Sequence, residues 1–549
     1  MGVGISDKNK VTVATALVRA FKANGTRRMF GVPGGGSSLD LIEAARLEGI
    51  DFVLARHECA AMFMAAATAE LDGTLGVALT TKGPGTANAA NGAAHASLDR
   101  CAAALVTDGF SPQVQSYVTH QWFDQRALLG PLVKAHSLLA QGDIAGQIER
   151  VLAAARTPRR GPVHIELTGP AARARIAARR QRKATPTIAA AGKTAIARAR
   201  AMIAGAKRPV VVAGLEARDA GVADSVRKLV AALDCPALVT YKAKGVIADA
   251  APHYAGIFTG GLAEQATVKQ ADLIVLIGVD PVELILQPWP YATPVLDIGY
   301  TTHPVHYLKP KLGVYGDLAR SVAAVRTSRP AKTRSGWTRG EIGRLRAEMR
   351  ASLAYRGKGR GLTPQQLVEE AAQSARKLPR WPRATVDAGA HMFSATAFWP
   401  CANANDLLIS NGLATMGFAL PAAIASALHE PRRHTIAFTG DGGLLMCLGE
   451  LATAVQSRAR IVVVVFNDGS LSLIDIKQQQ RKLPVIGMRW DRPDFAAAMR
   501  GLGGRGYRAH SLAGYRRALA QAFAGKGPAL IDVIVDPSGY GAQLAAMRG

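Results

Sequence analysis

Short apolar stretches alternate with alanine-rich stretches along almost the whole chain, and this alternation limits the possible folds more than any other feature of the sequence. In the first third, FGVPGGG (30–36), DFVLARHE (51–58) and GVALTTKGPG (76–85) are each typical of a strand followed by a glycine-rich or polar turn. Strands separated by helices pair in parallel, because each helix carries the chain back to the start of the next strand. The sequence therefore predicts an α/β fold made of doubly wound parallel sheets.

The length of the chain sets the expected number of domains. Its 549 residues are more than one hydrophobic core organises, and we expect three domains, at residues 1–172, 187–328 and 362–549. A polar and basic stretch at 171–186 predicts a linker after the first domain. The arginine- and lysine-rich segment 327–361 has little strand character, so it predicts a connecting helix with loops.

The net charge of +27 makes a nucleic acid or an acidic membrane a partner to consider. Much of the excess is arginine spread over helix-like stretches, and the one dense run, 173–183, lies in the predicted linker. The longest aliphatic run, 461–466, is far shorter than the ~20 residues that span a bilayer. The N-terminus has no signal-peptide pattern, and the five cysteines form no CxxC pair. We therefore expect a cytoplasmic protein that binds neither nucleic acid nor membrane.

The segment from 440 to 470 carries the most informative motif. Asp441 directly follows a predicted buried strand, and the glycines at 440, 442 and 443 let backbone N–H groups approach a phosphate closely. A second acidic turn with Asp468 follows the next strand. Carboxylate and phosphate oxygens are the ligands that Mg²⁺ prefers. The sequence thus predicts a magnesium and phosphate site, although a GDG turn alone fits an ordinary strand–turn–helix junction equally well.

The GDG turn, followed after a helix and a strand by an Asn-Asp pair, resembles the signature of thiamine diphosphate enzymes, specifically the acetolactate synthase-like group. The resemblance implies that Asp441 and Asp468 supply carboxylate ligands to Mg²⁺ and that Ser470 supplies its backbone carbonyl. Two diphosphate oxygens and a water would complete the shell. The common form of the motif has asparagine at position 468, but aspartate is an equally good oxygen ligand.

Three further motifs in the first domain occur at the spacing of the same family. ARHECAAMFMAAA lies downstream of FGVPGGG and upstream of TTKGPGTANAANG. The resemblance implies that Glu58 bonds the N1′ atom of the cofactor's aminopyrimidine and promotes its proton transfer. It further implies that Gly85 contacts the cofactor and that Gly35 borders the substrate. Read without the resemblance, Glu58 is an acid of the kind favoured at a helix start.

Two motifs in the last domain extend the resemblance. SNGLATMGFALPAAIASA (410–427) is similar to the family segment that supports the bent cofactor. It implies that Met416 props the cofactor and that the carbonyl of Ala414 accepts a hydrogen bond from its 4′-amino group. DAGAHMF (387–393) is similar to the family's diphosphate loop, with His391 at the matching histidine. A methionine in an apolar helix start, or a single histidine, can also be purely structural.

The resemblance covers nearly the whole chain and implies a domain order. The family has an N-terminal pyrimidine-binding domain, a central domain and a C-terminal diphosphate-binding domain, with the cofactor between the first domain of one subunit and the third of another. An active homodimer, or a homotetramer built from two such dimers, is therefore implied.

Other segments depart from the biosynthetic acetolactate synthases. Those enzymes bind FAD through an arginine- and aspartate-rich segment, where this chain has GVDPVELILQPWPY (278–291), so FAD is not expected. HQWFDQRALLGPLVK (120–134) resembles the form found in FAD-independent members and implies that Gln121 faces the reaction intermediate, although a surface glutamine is the simpler interpretation. Lys477 stands where the biosynthetic enzymes carry an acceptor-reading tryptophan. It could pair with a second anionic group of a 2-oxo acid, and an ordinary solvated helix lysine is equally compatible with the pattern.

Two reactions on a small 2-oxo acid fit these motifs. The first is an acetolactate synthase-like carboligation, in which one 2-oxo acid loses carbon dioxide and the remainder joins a second 2-oxo acid. The second is a simple decarboxylation that releases an aldehyde. A role in nucleic-acid binding would require Glu58, Asp441 and Asp468 to match the family by accident.

Overall fold

The computed structural model describes most of the chain. Its described residues are 10–180, 182–183, 186–284, 288–303, 308–326, 335–359 and 361–548. They divide into two compact units. The first contains the described residues up to 187 together with 420–431 and 447–459, and the second contains those of 188–419, 432–446 and 460 onward.

The first unit is built on a parallel sheet of six strands. The described residues of this unit form eight strands, six of them in this sheet: β1 (Lys10–Thr12), β2 (Arg28–Val32), β3 (Asp51–Leu54), β4 (Gly76–Thr80), β5 (Ala103–Gly109), β6 (His136–Leu139), β7 (Val163–Thr168) and β8 (Arg175–Ala177). The sheet order is β3-β2-β4-β5-β7-β6, and β1 pairs with β8 separately and antiparallel. The chain therefore winds in opposite directions from β2 and β4, and a crevice opens outside the carboxyl ends of these two strands.

Helices flank this sheet. They are α1 (Val13–Ala23), α2 (Ser37–Glu48), α3 (Glu58–Asp72), α4 (Pro84–Leu98), α5 (Pro112–Gln115), α6 (Gln125–Leu129), α7 (Ile144–Arg156) and α8 (Gly169–Arg173). Every residue of β4 is buried, as expected of a central strand covered on both faces. Helix α1 starts where the hydroxyl of Thr12 accepts a hydrogen bond from the Thr15 N–H, and it buries Leu17 and Phe21 on one face.

The second unit contains two more six-stranded parallel sheets. The central sheet consists of β9 (Pro209–Ala213), β10 (Ala237–Val239), β11 (Tyr254–Ile257), β12 (Leu273–Ile277), β13 (Val295–Gly299) and β14 (Leu312–Tyr315), in the order β11-β10-β9-β12-β13-β14. The helices of this part of the chain are α9 (Lys193–Gly205), α10 (Ala220–Leu233), α11 (Gln265–Val268) and α12 (Leu318–Val325). Helix α13 (Arg339–Ser352) follows the last strand of the sheet and α12 in the sequence.

The third sheet carries the segment with the GDG turn. It consists of β15 (Arg383–Val386), β16 (Leu407–Ile409), β17 (Thr435–Gly440), β18 (Ile461–Asn467), β19 (Arg505–Ala509) and β20 (Ala529–Ile534), in the order β16-β15-β17-β18-β20-β19. The winding direction reverses between β15 and β17, so the second crevice of this kind lies at the carboxyl ends of those strands.

The remaining helices belong to this last part of the chain. They are α14 (Pro364–Ala375), α15 (His391–Phe398), α16 (Ala419–His429), α17 (Asp441–Met446), α18 (Glu450–Gln456), α19 (Ser472–Gln480), α20 (Phe495–Gly501), α21 (Leu512–Ala524) and α22 (Tyr540–Arg548). Helix α18 and, from residue 420, helix α16 belong to the first unit. None of the described helices is both long enough and apolar enough to cross a bilayer.

The predicted fold class is confirmed, since three parallel sheets flanked by helices follow one another along the chain. The start of the predicted linker differs from expectation, because Arg175–Ala177 pairs with Lys10–Thr12 as a short sheet of the first unit. The expected connecting helix is α13. The domain limits remain predictions, and residues 285–287 of the segment compared with the flavin-binding region, together with 327–334, lie outside the described residues.

Candidate active site

Two aspartates meet at the carboxyl edge of the third sheet. Strands β17 and β18 are paired in parallel with Gly440 opposite Phe466, so the residues just after them are neighbours. Asp441 accepts hydrogen bonds from the N–H groups of Gly442 (2.9 Å) and Gly469 (2.7 Å). The two acidic turns are thereby tied together through the Asp441 carboxylate.

Asp468 is held by its own turn and lies near Asp441. It accepts hydrogen bonds from the Ser470 N–H (3.2 Å) and the Ser472 hydroxyl (2.7 Å). Burial raises the pKa of Asp441 to about 6. Burial also raises the pKa of Asp468 to about 7, and the negative charge of Asp441 adds to that rise. Each of the two carboxylates makes ionisation of the other less favourable, and a divalent cation between them would stabilise their ionised forms.

The donor set at this edge fits a magnesium ion that shares its coordination with another ligand. The described residues include no cluster of three or more His, Cys, Asp or Glu side chains able to hold a metal by themselves. Mg²⁺ is commonly bound by one or two carboxylates while phosphates and waters supply the other oxygens. Asp441 and Asp468 with a backbone carbonyl match that pattern.

A cavity opens beside the two aspartates. All nine residues that the motifs assigned to the metal or the cofactor in this part of the chain line it: His391, Ala414, Met416, Gly440, Asp441, Gly442, Gly443, Asp468 and Ser470. Tyr540 of α22 also lines it, and no sequence motif pointed to that residue. Gly443 leaves no room for a side chain, because a Cβ atom there would clash with the carboxylate of Asp387.

His391 presents an unsatisfied polar atom in the wall of this cavity. Its Nε2 is buried and has no hydrogen-bond partner among the described residues, and its ring stacks on Phe466 at 5.1 Å. Burial lowers the pKa of His391 to about 4, so the imidazole is neutral at physiological pH. A buried polar atom without a partner is uncommon and is consistent with a ligand that the cavity receives.

Asp387 positions the loop that carries Met416, a role that no sequence motif indicated. Its carboxylate accepts hydrogen bonds from the N–H groups of Gly417 (3.0 Å) and Phe418 (2.9 Å) and from the Thr439 hydroxyl (3.0 Å). Nearby, Ala414 has a φ of 53°, a left-handed conformation that alanine rarely adopts. Such a conformation persists only where surrounding contacts hold it. The backbone at this part of the cavity wall is therefore held in one conformation by its neighbours.

Glu58 lies in the first unit, at the first residue of α3. The side chain of His57 caps that helix by accepting the Cys59 N–H, and the Asn88 amide donates to Oε2 of Glu58 at 3.0 Å. The other oxygen, Oε1, faces Gly85, where a Cβ atom would lie 3.2 Å away. Glu58 is 9% exposed. Gly85 and Glu58 therefore lie side by side at this edge of the sheet.

Gln121 and Gly35 belong to the loops at the carboxyl edge of the first sheet. Gln121 is exposed and has a φ of 58°, and a Cβ atom on Gly83 would lie 2.7 Å from its carbonyl oxygen. A Cβ atom on Gly35 would meet nothing within 4 Å, so open space lies above that turn. Asp108 anchors the neighbouring turn, since it accepts hydrogen bonds from the hydroxyls of Ser37 (2.6 Å) and Ser38 (3.0 Å).

Lys477 lies apart from the residues that line the cavity. It is exposed on α19, whereas Leu473 and Ile474 of the same helix contribute to the cavity wall. Its proposed role in substrate choice is therefore not supported by a position in that wall.

Comparison with known proteins agrees with this arrangement. The profile "Thiamine pyrophosphate enzyme, N-terminal TPP binding domain" matches residues 11–128, the corresponding central domain matches 196–325, and the C-terminal TPP binding domain matches 387–533. Thiamine pyrophosphate is another name for thiamine diphosphate.

Three relatives illustrate the range of similar proteins. An acetolactate synthase of Bacillus subtilis is 27% identical over 546 residues, which cover 96% of this chain and 93% of the relative. A catabolic acetolactate synthase of Raoultella terrigena is 27% identical, with 95% of each chain covered. A probable 2-ketoarginine decarboxylase of Pseudomonas aeruginosa is also 27% identical, covering 95% of this chain and 94% of the relative.

We predict that Asp468→Asn stabilises the metal-free protein at pH 8 by about 1–3 kcal/mol and has little effect at pH 4. The raised pKa of Asp468 means that the folded state keeps a proton which the unfolded chain releases. In the wild type, the protonated carboxyl group of Asp468 therefore stabilises the fold fully below about pH 4, and this stabilisation is lost as the pH rises to about 7. Urea unfolding at both pH values, with a chelator present, measures the difference.

Asp475→Asn is the matched control for this experiment, with the opposite sign. The hydrogen bond from Arg489 lowers the pKa of Asp475, so that carboxylate stabilises the fold at pH 8 and ceases to do so in acid. The control variant should be slightly less stable than the wild type at pH 8. Equal stability of wild type and Asp468→Asn at pH 8 would contradict the electrostatic description of the site.

Proposed function

We propose, since this chain belongs to the thiamine pyrophosphate enzyme family, that it removes carbon dioxide from one 2-oxo acid and joins the remaining carbons to a second 2-oxo acid. The family and the relatives make the chain a thiamine pyrophosphate-dependent carboligase or decarboxylase. The observation that carries the proposal is the cavity at β15, β17 and β18, which all nine motif residues of that region line.

In this proposal, Asp441, Asp468 and the carbonyl of Ser470 hold Mg²⁺, which in turn holds the diphosphate. The carboxylates of Asp441 and Asp468 are oriented by hydrogen bonds from the N–H groups of Gly442, Gly469 and Ser470 and from the Ser472 hydroxyl, and carboxylate oxygens can accept further ligands beside such bonds. Gly440, Gly442 and Gly443 keep the neighbouring backbone free of side chains, so that its N–H groups can approach phosphate oxygens. Neutral His391 supplies a hydrogen bond through its unpartnered Nε2.

When bound, the cofactor supplies a carbon nucleophile and stores the electron pair that decarboxylation leaves. Glu58 holds and returns a proton at the pyrimidine N1′, and Asn88 keeps its carboxyl group in one orientation by donating to Oε2. Met416 and the carbonyl of Ala414 fix the position of the cofactor in the cavity, and the strained backbone at Ala414 keeps that carbonyl in place. Gln121 and Gly35 border the substrate.

Simple decarboxylation is the second candidate reaction, because a probable 2-ketoarginine decarboxylase is as similar to this chain as the acetolactate synthases are. The proposal assigns no flavin, since GVDPVELILQPWPY lacks the arginine- and aspartate-rich character of a flavin-binding segment. A cytoplasmic homodimer or homotetramer, with a small 2-oxo acid as substrate, completes the proposal.

Product analysis tests the proposed reaction. The full chain, loaded with Mg²⁺ and thiamine pyrophosphate, is incubated with a panel of 2-oxo acids, and carbon dioxide and organic products are measured together. We expect ligated products such as acetolactate from pyruvate. Release of an aldehyde alone would replace carboligation by decarboxylation, and the absence of carbon dioxide from every acid would refute both reactions.

We predict that Glu58→Gln lowers kcat by about 10² to 10⁴-fold, because an amide cannot exchange the N1′ proton as a carboxyl group does. The fold and the affinity for Mg²⁺ should not change. Glu43→Gln, which removes an exposed carboxylate of the same unit, serves as the control and should retain wild-type activity. Turnover of Glu58→Gln within twofold of the wild type would remove Glu58 from the catalytic machinery.

We predict that Asp441→Ala abolishes retention of the cofactor rather than merely slowing the reaction, because the diphosphate is attached to the protein largely through the ion. Equilibrium dialysis of thiamine pyrophosphate, with and without Mg²⁺, measures this directly. Glu348→Ala, which removes an exposed carboxylate from α13, should bind the cofactor as the wild type does. If Asp441→Ala binds equally well, the GDG turn has only a structural role.

A further inference from the structure

A lysine without an anionic partner lies in the loop between β4 and α4. Lys82 is half-buried, and its ammonium nitrogen is 4.9 Å from the centroid of the Phe110 ring, which follows β5. Among the described residues it takes part in no salt bridge or hydrogen bond, and the ring contact is its one recorded interaction. A face-on aromatic ring attracts a cation but does not replace an anion.

The loop that carries Lys82 is fixed on both sides by residues of the proposed catalytic machinery. Gly83 packs against Gln121, whose carbonyl oxygen would lie 2.7 Å from a Cβ atom at that position. Gly85 packs close to Glu58 in the same way, because a Cβ atom on Gly85 would lie 3.2 Å from Oε1 of Glu58. Lys82 therefore places a positive charge at the carboxyl edge of the first sheet, beside Glu58 and Gln121, rather than on a solvated helix face.

Asp108, the acidic residue in contact with the neighbouring Thr81, already has hydrogen-bond partners. Asp108 accepts hydrogen bonds from the hydroxyls of Ser37 and Ser38, from the Ser38 N–H and, at 3.5 Å, from the Thr81 hydroxyl. No oxygen of Asp108 lies within salt-bridge distance of Lys82. Lys82, half-buried and in no ion pair among the described residues, is therefore available to an anionic ligand.

The chemistry of the reaction restricts which anion this can be. The carboxylate that leaves as carbon dioxide loses its charge as the carbon–carbon bond breaks. An ammonium paired with it would stabilise the ground state more than the transition state and would slow the reaction. A fixed ammonium is suited to an anionic group whose charge persists from substrate to product.

We propose that Lys82 is a specificity-determining residue that binds such a persistent carboxylate of the substrate. This inference rests on the proposed function. The carboxylate has two sources: the distal end of a dicarboxylic donor, or the retained carboxylate of the acceptor 2-oxo acid. Lys82 would act independently of Lys477, the other lysine proposed for substrate choice, which is exposed on α19.

The test compares Lys82→Gln with Lys82→Arg and with Lys269→Gln, which removes the same charge from an exposed position at the end of helix α11. In the donor arm, kcat/KM for carbon dioxide release is measured with monoanionic pyruvate and dianionic 2-oxoglutarate. In the acceptor arm, pyruvate is the donor, and ligation onto a second pyruvate is compared with ligation onto neutral acetaldehyde. Melting temperature and cofactor affinity are recorded for every variant.

Lys82→Gln should lose at least tenfold in one arm, for 2-oxoglutarate or for the pyruvate acceptor, and should stay within twofold for carbon dioxide release from pyruvate and for the acetaldehyde acceptor. The affected arm identifies the source of the carboxylate. Lys82→Arg should restore most of the lost selectivity, and Lys269→Gln should match the wild type. Equal losses for all substrates, a weaker cofactor affinity or no loss at all would overturn the inference.

Binding without turnover separates this inference from the proposed function. In the Glu58→Gln background, calorimetry with 2-oxoglutarate and pyruvate should show at least tenfold weaker binding of the selected anion when Lys82→Gln is added. Carbon dioxide release by the wild type decides the proposed function, whereas the change in selectivity caused by Lys82→Gln decides the role of Lys82. Binding of both acids that is identical in the single and double variants would exclude Lys82 as the anion site.

Discussion

Parallel pairing of adjacent strands is the constraint on which both functional edges depend. Because β15, β17 and β18 run in the same direction and in register, the residues after Val386, Gly440 and Asn467 must emerge at one edge of one sheet. No single loop creates the cavity there, since each contributes only one or two of its polar groups. The same constraint in the first sheet brings the turns after β2, β4 and β5 together.

A buried aspartate stabilises each of these edges. Asp387 is fully buried and accepts two backbone N–H groups and a hydroxyl, whereas Asp108 accepts the Ser38 N–H and the hydroxyls of Ser37 and Ser38. A buried carboxylate is strongly unfavourable unless hydrogen-bond donors surround it. Few arrangements of each loop other than the observed one would supply these donors to the aspartate. These two residues make the backbone of the crevices rigid before any ligand arrives.

The sequence predicted the parts of the site that lie in short motifs resembling those of the family, because such motifs are local and can be recognised without the fold, whereas a GDG turn alone would not have distinguished a phosphate site from an ordinary turn. For that reason nine residues assigned from motifs line one cavity. Asp387 was missed, because a single aspartate after a strand is common and its donors lie about thirty and fifty residues further on. Lys477 was placed by counting along a helix, which does not reveal the face on which it lies. Lys82 acquires its importance only through Phe110 and Gln121, which the fold brings to it.

The hydrogen bonds that Glu450 accepts from the N–H groups of Arg56 and His57 join residues 394 and 393 positions apart, within the first unit. During synthesis at about 5–20 residues per second, the strand–helix junction at Glu58 waits roughly 20 to 80 s before its partner leaves the ribosome. In that interval the N–H groups of Arg56 and His57 lack the carboxylate that accepts their hydrogen bonds in the folded chain. The first unit, although it begins the chain, therefore completes its folding only after the whole of the central sheet has been synthesised.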